Sequence, residues 1–248
     1  MAEIAAVEER AESAPSMRTV VAASAAGTAF EWYDFFVFGS LTQVISKVFF
    51  SGLSETAGVA AALALFGAGF AFRPLGALVF GRVGDRTGRK GAFLVTVTLM
   101  GLATVAIGLL PSYAAAGVVA PILLILMRIV QGFALGGEYG GAAIYVAEHA
   151  SDDARGRSTS WVQTSAAFGL FAALIVILVT RLLVGRYFGP EAFDAWGWRI
   201  PFLFSAGLLA ISIFMRLKLA ESPAFSAMYI MIAPDSNSEI GAPPSAGA

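Results

Sequence analysis

The chain has 248 residues, of which 58% are hydrophobic and only 13% are charged, and its mean hydropathy is +0.77. Soluble globular domains carry about 25% charged residues, so the composition excludes a soluble domain and predicts a protein embedded in lipid. The net charge of −1, without a basic domain, argues against nucleic acid as a partner. The absence of cysteine excludes thiolate metal sites and Cys nucleophiles, and one histidine (His149) is poor material for a transition-metal site.

Taken in chain order, residues 1–19 are polar and mostly acidic, which predicts a cytoplasmic N-terminal tail without the positive start of a signal peptide. Six stretches then reach the roughly 20 mostly apolar residues that a membrane-spanning helix needs. They are 20–48, 57–80, 91–110, 118–147, 159–183 and 198–217. They predict an all-α fold, a six-helix transmembrane bundle over 20–220. Residues 221–248 change to Ser-, Pro-, Gly- and Asn-containing sequence, which predicts a cytoplasmic disordered tail.

The distribution of Lys and Arg predicts the orientation of the bundle, because cytoplasmic segments are enriched in positive charge. With the N-terminus inside, ten Lys and Arg residues fall in inner segments and four fall in outer ones. Arg216 and Lys218, at the end of the sixth stretch, count among the ten. We therefore expect a multi-pass inner-membrane protein with both termini in the cytoplasm.

Two acidic residues interrupt the first stretch. Glu31 and Asp34 are three residues apart, so they share one face of a helix. Charged groups inside a bilayer are costly and are functional candidates by default. Two neighbouring carboxylates in a low dielectric do not easily both ionise, so either one is a candidate proton carrier. The alternative is a static, structural pairing with an arginine.

The second stretch carries Arg73, eight residues before the inner loop. At 1.5 Å per residue this is a depth of about 12 Å, and only part of it can be relieved by snorkelling. Pro74 follows and should loosen the helix there. A structural role and a contact with an anionic group of a substrate both remain open.

The fourth stretch places polar residues on one side of a helix: Arg128, Gln131, Glu138 and Tyr145. Arg128 and Asp34 both lie near middle depth. An arginine within reach of a carboxylate holds it ionised, and protonation or an anionic substrate would release it, which gives a two-state element. The alternative is a permanent buried ion pair.

Glycines also cluster in the fourth stretch, at Gly136, Gly137, Gly140 and Gly141. Small residues let a neighbouring helix approach closely. The cluster therefore predicts close packing, or alternatively a surface that slides or bends.

The inner loop after the second stretch reads Gly-Arg-Val-Gly-Asp-Arg-Thr-Gly-Arg-Lys over 81–90. A phosphate-binding loop is excluded, because no strand precedes it and the Lys-Ser/Thr ending is absent. Charge alone would satisfy a positive-inside loop, but the Gly-x-x-x-Asp-Arg-x-Gly-Arg-Lys spacing is more specific. It resembles the signature loop of the major facilitator superfamily, and so do 145–148 with Arg155-Gly156, and Glu221-Ser222-Pro223.

Four further segments resemble the metabolite:proton symporter family within that superfamily. They are 30–36 (Phe-Glu-Trp-Tyr-Asp-Phe-Phe), 73–76 (Arg-Pro-Leu-Gly), 128–138 (Arg-x-x-Gln-Gly-x-x-x-Gly-Gly-Glu) and 197–202 (Gly-Trp-Arg-Ile-Pro-Phe). The resemblance implies a proton-coupled secondary transporter for an organic acid or a zwitterion such as proline or betaine. It covers about 20–225, which is only the N-terminal six-helix half of a twelve-helix member.

The resemblance also implies residue roles. Asp34 and Arg128, with Glu31, match the proton-coupling pair, and the substrate cavity would be lined by Arg73, Gln131, Glu138 and Tyr145. Asp85 would interact with a helix end in the second half. The gating loop and its inner network would comprise Gly81, Asp85, Arg86, Gly88, Arg89, Lys90, Glu148 and Arg155.

Three function classes follow. A secondary transporter needs a small-molecule substrate, membrane lipid and H⁺ as the coupling ion, with no cofactor. The missing half favours a non-transporting membrane interaction or sensor protein, or an inactive truncated half-transporter. We expect truncation, and two copies rebuilding a pseudo-symmetric pair are the alternative. An intramembrane enzyme is disfavoured, since the chain has no Gly-x-Ser-x-Gly elbow and no His-Glu-x-x-His motif.

Overall fold

The computed structural model describes residues 17–217, apart from a few side chains within its helices. The predicted tails therefore lie almost entirely outside the described residues. The α-helices are α1 (Met17–Ser40), α2 (Thr42–Phe49), α3 (Glu55–Ala71), α4 (Arg73–Thr87), α5 (Arg89–Leu109), α6 (Tyr113–Ala116), α7 (Val119–His149), α8 (Arg155–Phe188) and α9 (Arg199–Leu217). A short π-helical segment, Phe193–Gly197, lies between α8 and α9. The expected all-α fold is confirmed.

Five helical stretches of the described chain are long and apolar enough to cross a membrane. They are Glu55–Arg86, Lys90–Leu109, Val119–Glu148, Arg155–Phe188 and Arg199–Leu217. The first predicted span, which α1 and α2 occupy, is not among them. It carries Glu31 and Asp34, which lower its hydropathy, and both of these side chains are buried against other helices. The first predicted span therefore packs in the same bundle as the five other stretches.

The inner loop is much shorter than the predicted 81–90. Helix α4 continues to Thr87, and α5 begins at Arg89. Only Gly88 separates them, with a φ of 96°, a left-handed backbone conformation that glycine adopts without steric cost. The physical reason is that loss of hydropathy marks where lipid ends, whereas Arg, Asp and Thr side chains can continue a helix into water. Gly81, Asp85 and Arg86 thus lie on a helix.

The helices pack around three apolar clusters. Helix α1 contacts α8 most extensively, α9 packs along α5, and α7 lies against α3, α4 and α5. The largest cluster includes Phe38, Ile45, Leu124 and Phe202, all with no exposed surface. This arrangement leaves long apolar faces of α3, α4 and α8 exposed, as lipid or another helical body would require.

Glycines on α7 allow its backbone to touch the preceding helices. A Cβ atom on Gly132 would overlap the carbonyl group of Gly69, and one on Gly136 would overlap that of Arg73. Close packing, the first of the two expectations for Gly136, is thereby confirmed. The surroundings of Gly140 and Gly141 are outside what the structure describes.

We expect Gly132→Ala and Gly136→Ala each to destabilise the bundle, because the new methyl group must push two backbones apart. Overpacking of this kind costs about 1–3 kcal/mol. Gly67→Ala in α3 is the matched control, since nothing lies within 4 Å of a Cβ atom there. Thermal unfolding in detergent measures the three variants, and equal melting temperatures would contradict the packing role.

Candidate functional site

The carboxylate of Asp34 lies inside the bundle, where α1 meets α5 and α9. Asp34 is 6% exposed, and its Oδ1 accepts a short hydrogen bond from the hydroxyl of Ser205 in α9. The hydroxyl of Thr104 in α5 lies near this carboxylate, but it donates its hydrogen bond to the carbonyl oxygen of Met100 at 3.0 Å. Ser205 and Thr104 are themselves buried. Asp34 is therefore held by the neutral hydroxyl group of Ser205, with Thr104 of α5 nearby.

Arg128 of α7 is joined to the same region through a chain of hydrogen bonds. Its Nη1 donates to Oε1 of Gln131 at 2.9 Å, and Nε2 of Gln131 donates to Oγ1 of Thr104 at 2.7 Å. A second guanidinium nitrogen, Nη2, donates to the carbonyl oxygen of Phe66 at 3.1 Å. The hydrogen-bonded chain thus runs Arg128–Gln131–Thr104 and ends next to Asp34.

The predicted association of Asp34 with Arg128 is thus indirect. Among residues 17–217, Arg128 makes no ion pair, and Gln131 and Thr104 lie between it and the carboxylate. Gln131 was expected to line a substrate cavity, and in this conformation it is buried and joins Arg128 to Thr104. A rearrangement of Gln131 would be needed to bring the ions together, and such two-state elements are what coupling requires.

Aromatic rings surround the guanidinium groups of Arg73 and Arg128. Arg73 lies 4.1 Å from the ring centre of Phe70 and 5.0 Å from that of Phe35. Arg128 lies 4.2 Å from that of Phe38 and 5.4 Å from that of Phe35. Phe35 therefore contacts both cations. Cation–π contacts of this kind are stronger when desolvated.

The two guanidinium groups have little anionic compensation. In the described part of the chain, Nε and Nη2 of Arg73 and Nε of Arg128 are buried without hydrogen-bond partners. Neither side chain forms an ion pair with a described carboxylate. Buried charges are normally paired, so this cluster is chemically suited to receive an anion such as a carboxylate.

Glu31, one helical turn before Asp34, has a different partner. Nη2 of Arg216, near the end of α9, contacts its Oε1 at 2.7 Å, and the two side chains are 7% and 1% exposed. A Cβ atom on Gly27 would lie 2.7 Å from that Nη2, so this glycine provides the space for the guanidinium. In this conformation Glu31 is paired with an arginine, which was the structural alternative to a role as proton carrier.

Arg216, which was counted among the inner charges, is a buried ion-pair partner near the end of α9. The missed residues of α9 share a signal: Ser205, Ser212 and Arg216 are spaced by seven and four, which places them on one face of a helix. Thr104 had no comparable signal, because a single threonine in an apolar helix commonly bonds to its own backbone, as it does to Met100 at 3.0 Å.

The remaining predicted cavity residues lie elsewhere on α7 or are not described. Tyr145 is 3% exposed and belongs to an apolar cluster with Val20, Val146 and Phe93. The structure does not bring it next to Arg128. The side chain of Glu138 lies outside the described positions. The cavity roles of both residues stay predictions.

The predicted gating residues on α4 and α5 lie where α4 ends and α5 begins, next to the C-terminus of α9. Nζ of Lys90 donates to the carbonyl oxygen of Leu217 at 2.9 Å, so it caps the C-terminus of α9. Asp85 and Arg86 are exposed, while the side chain of Arg89 is not described. Gly81 lies within α4 with open space around it, and Gly88 forms the turn.

Glu148 and Arg155 flank the short α7–α8 connection, with Glu148 near the end of α7 and Arg155 at the start of α8. Arg155 donates to Oδ1 of Asp152 at 2.7 Å and to the carbonyl oxygen of Ala147, which adjoins Glu148. Arg155 thus ties the connection together locally. Within the described residues, no cluster of three or more His, Asp or Glu residues could hold a metal ion.

The family model described as "Sugar (and other) transporter" matches residues 19–232. The chain is 43% identical over 209 residues to the proline/betaine transporter of Salmonella typhimurium, covering 84% of this chain and 41% of that protein. It is 42% identical over 209 residues to the shikimate transporter of Escherichia coli, covering 84% and 47%. It thus spans about half the length of the curated relatives it matches.

The fold also matches that of a solved transporter. The partially occluded, inward-open xylose transporter XylE from Escherichia coli aligns with a TM-score of 0.73 at 20% identity, covering 86% of this chain and 52% of that one. The matched proteins are transporters and not enzymes. Together with the apolar helices, these matches show that the chain belongs to the sugar (and other) transporter family of the major facilitator superfamily, as a multi-pass inner-membrane protein corresponding to an N-terminal half.

Proposed function

We propose that this chain provides the proton-coupling half of a symporter that carries a small polar metabolite, either an organic acid or a zwitterion such as proline or betaine. The observation that carries the proposal is the buried cluster in which Arg128 bonds to Gln131, Gln131 bonds to Thr104, and Asp34 lies next to Thr104 while it bonds to Ser205. Relatives named as proline/betaine and shikimate transporters support the substrate class.

Asp34 is the proposed proton carrier, with Glu31 as its partner on the same helix face. When Asp34 is ionised, its negative charge attracts the guanidinium group of Arg128 across the side chains of Gln131 and Thr104. Protonation removes that attraction and leaves Arg128 free to move toward a substrate anion. Only a differential interaction of this kind can shift a conformational equilibrium.

Arg73 and Arg128 are the proposed contacts for the substrate carboxylate. Their guanidinium groups both contact the ring of Phe35, and several of their nitrogens have no partner among the described residues.

A second proposal concerns the partner: alternating access needs a second helical body, either a C-terminal half or another copy of this chain. We also propose that both termini face the cytoplasm.

The alternative is a non-transporting sensor or an inactive half-transporter. Uptake into proteoliposomes under an imposed pH gradient separates the two. We expect uncoupler-sensitive accumulation of one solute from a panel of proline, betaine, shikimate and other organic acids. No uptake by inserted, helical protein would favour the alternative.

Substitution of Arg73 tests the carboxylate contact. We expect Arg73→Gln to raise the KM for the transported solute about tenfold or more, because an unshielded charged hydrogen bond is worth about 1.5–3 kcal/mol. Arg82→Gln is the matched control, since Arg82 is an exposed residue at the other end of α4. Equal KM values for the two variants would contradict the assignment.

A further inference from the structure

A small cavity lies between α1, α5 and α9. Both acidic residues of α1, Glu31 and Asp34, line it together with Ser212 of α9, and Val97 and Met100 of α5 form part of the apolar wall. The space open to the centre of a water molecule is ≈ 10 Å³, which is about what a single water needs. The cavity therefore has the size of one water, and its mostly apolar wall includes three polar residues from two helices.

Ser212 supplies an independent reason to place a ligand there. Its side chain has no exposed surface, and its Oγ has no hydrogen-bond partner among the residues that the structure describes. A buried hydroxyl group without a partner is costly, and buried waters typically satisfy such groups with about three hydrogen bonds. Ser212, Glu31 and Asp34 can provide three partners.

The two carboxylates are fixed on either side by direct contacts. Arg216 holds Oε1 of Glu31, and Ser205 holds Oδ1 of Asp34. Ser212 lies between Ser205 and Arg216 on the same face of α9, and it lines the cavity together with both acidic residues. One small molecule in the cavity can thus contact both acids.

We propose that this cavity binds one water molecule, held by Ser212 and the carboxyl groups of Glu31 and Asp34, and that this water passes protons between the two acids. The proposal rests on the proposed proton-coupled function and deepens it, since it gives the proton a second station and a path. Ser212 is a positioning residue, because it acts through the water.

The transfer is balanced without any further reactant. Protonated Asp34 gives its proton to the water while the water gives one of its own protons to ionised Glu31. One O–H bond breaks on Asp34, one forms on Glu31, and the water is regenerated. The negative charge moves from Glu31 to Asp34, and the contact of Glu31 with Arg216 loses its ionic character.

The first test detects the water itself. Hydroxyl radicals formed by X-ray radiolysis oxidise side chains next to bound water, and Met100 lines the cavity while being only 1% exposed. With the full chain in lipid nanodiscs, we expect Met100 to be oxidised several-fold more slowly in Ser212→Ala than in the unmodified protein. Ser165→Ala is the matched control, because Ser165 is an equally buried serine on α8 that bonds to its own helix.

Equal oxidation of Met100 in Ser212→Ala and the unmodified protein would overturn the water site.

The second test follows the movement of the proton. At acid pH, the infrared C=O band that Asp34→Asn removes should shift after transfer to D2O, and we expect this exchange to be several-fold slower in Ser212→Ala than in Ser165→Ala. Equal exchange rates would overturn the relay. Neither readout needs a transported solute, so failure of transport and failure of the relay are distinguishable.

Discussion

Asp34→Asn is expected to abolish accumulation of solute driven by a pH gradient while leaving exchange of solute across the membrane. Asparagine keeps the size of the side chain and can still accept the hydrogen bond from Ser205, but it cannot bind and release a proton. The variant should therefore insert normally and alternate between its conformations with solute bound. Parallel measurements of gradient-driven uptake and of counterflow in the same proteoliposomes check this prediction.

The control for Asp34→Asn is Asp194→Asn. Asp194 lies in the π-helical segment, where it contacts Lys47 at 3.1 Å and Arg181 at 3.8 Å, and it is partly exposed. Its substitution should change neither assay by more than a small factor. Uphill uptake by Asp34→Asn at the rate of the unmodified protein would remove Asp34 from the coupling mechanism.

Arg216→Gln is expected to destabilise the bundle strongly, by about 3–5 kcal/mol, because removal of one partner of a buried ion pair leaves the other charge desolvated. The double variant Glu31→Gln/Arg216→Met should recover much of that loss, since both charges are then gone. Reversible unfolding by SDS in mixed micelles, followed by circular dichroism, measures these free energies.

The control for this pair is Arg155→Gln. Arg155 contacts Asp152 at 2.7 Å, but the two side chains are 53% and 92% exposed, and exposed ion pairs contribute about 0–1 kcal/mol. If Arg216→Gln costs no more than Arg155→Gln, the buried pair does not hold α9 against α1.

The apolar stretches were predictable because the thickness of a bilayer imposes a length of about 20 residues on each span. The ends of the helices were not. Helix α8 runs from Arg155 to Phe188, well beyond the predicted 159–183, and α4 continues to Thr87. Hydropathy reports where lipid ends, whereas a helix ends only where backbone geometry changes, as it does at Gly88.

The buried charges Glu31, Asp34 and Arg128 were also predictable one by one, but Arg216 and the partners of these groups were not. Glu31 and Asp34 share a face of α1, yet one meets Arg216 and the other meets Ser205. Which residues of α5 and α9 face them depends on how each helix is rotated about its axis, and hydropathy in a nearly all-apolar helix does not specify that rotation. The seven- and four-residue spacing of polar residues in α9 was the one available signal.

The most direct test of the central claim is proton movement caused by the solute. Addition of the transported solute outside lightly buffered proteoliposomes containing the 248-residue chain should make the external medium more alkaline, because each solute enters with a proton. An uncoupler should abolish the change, and Asp34→Asn should not show it. Entry of solute without alkalinisation would contradict proton coupling through this half.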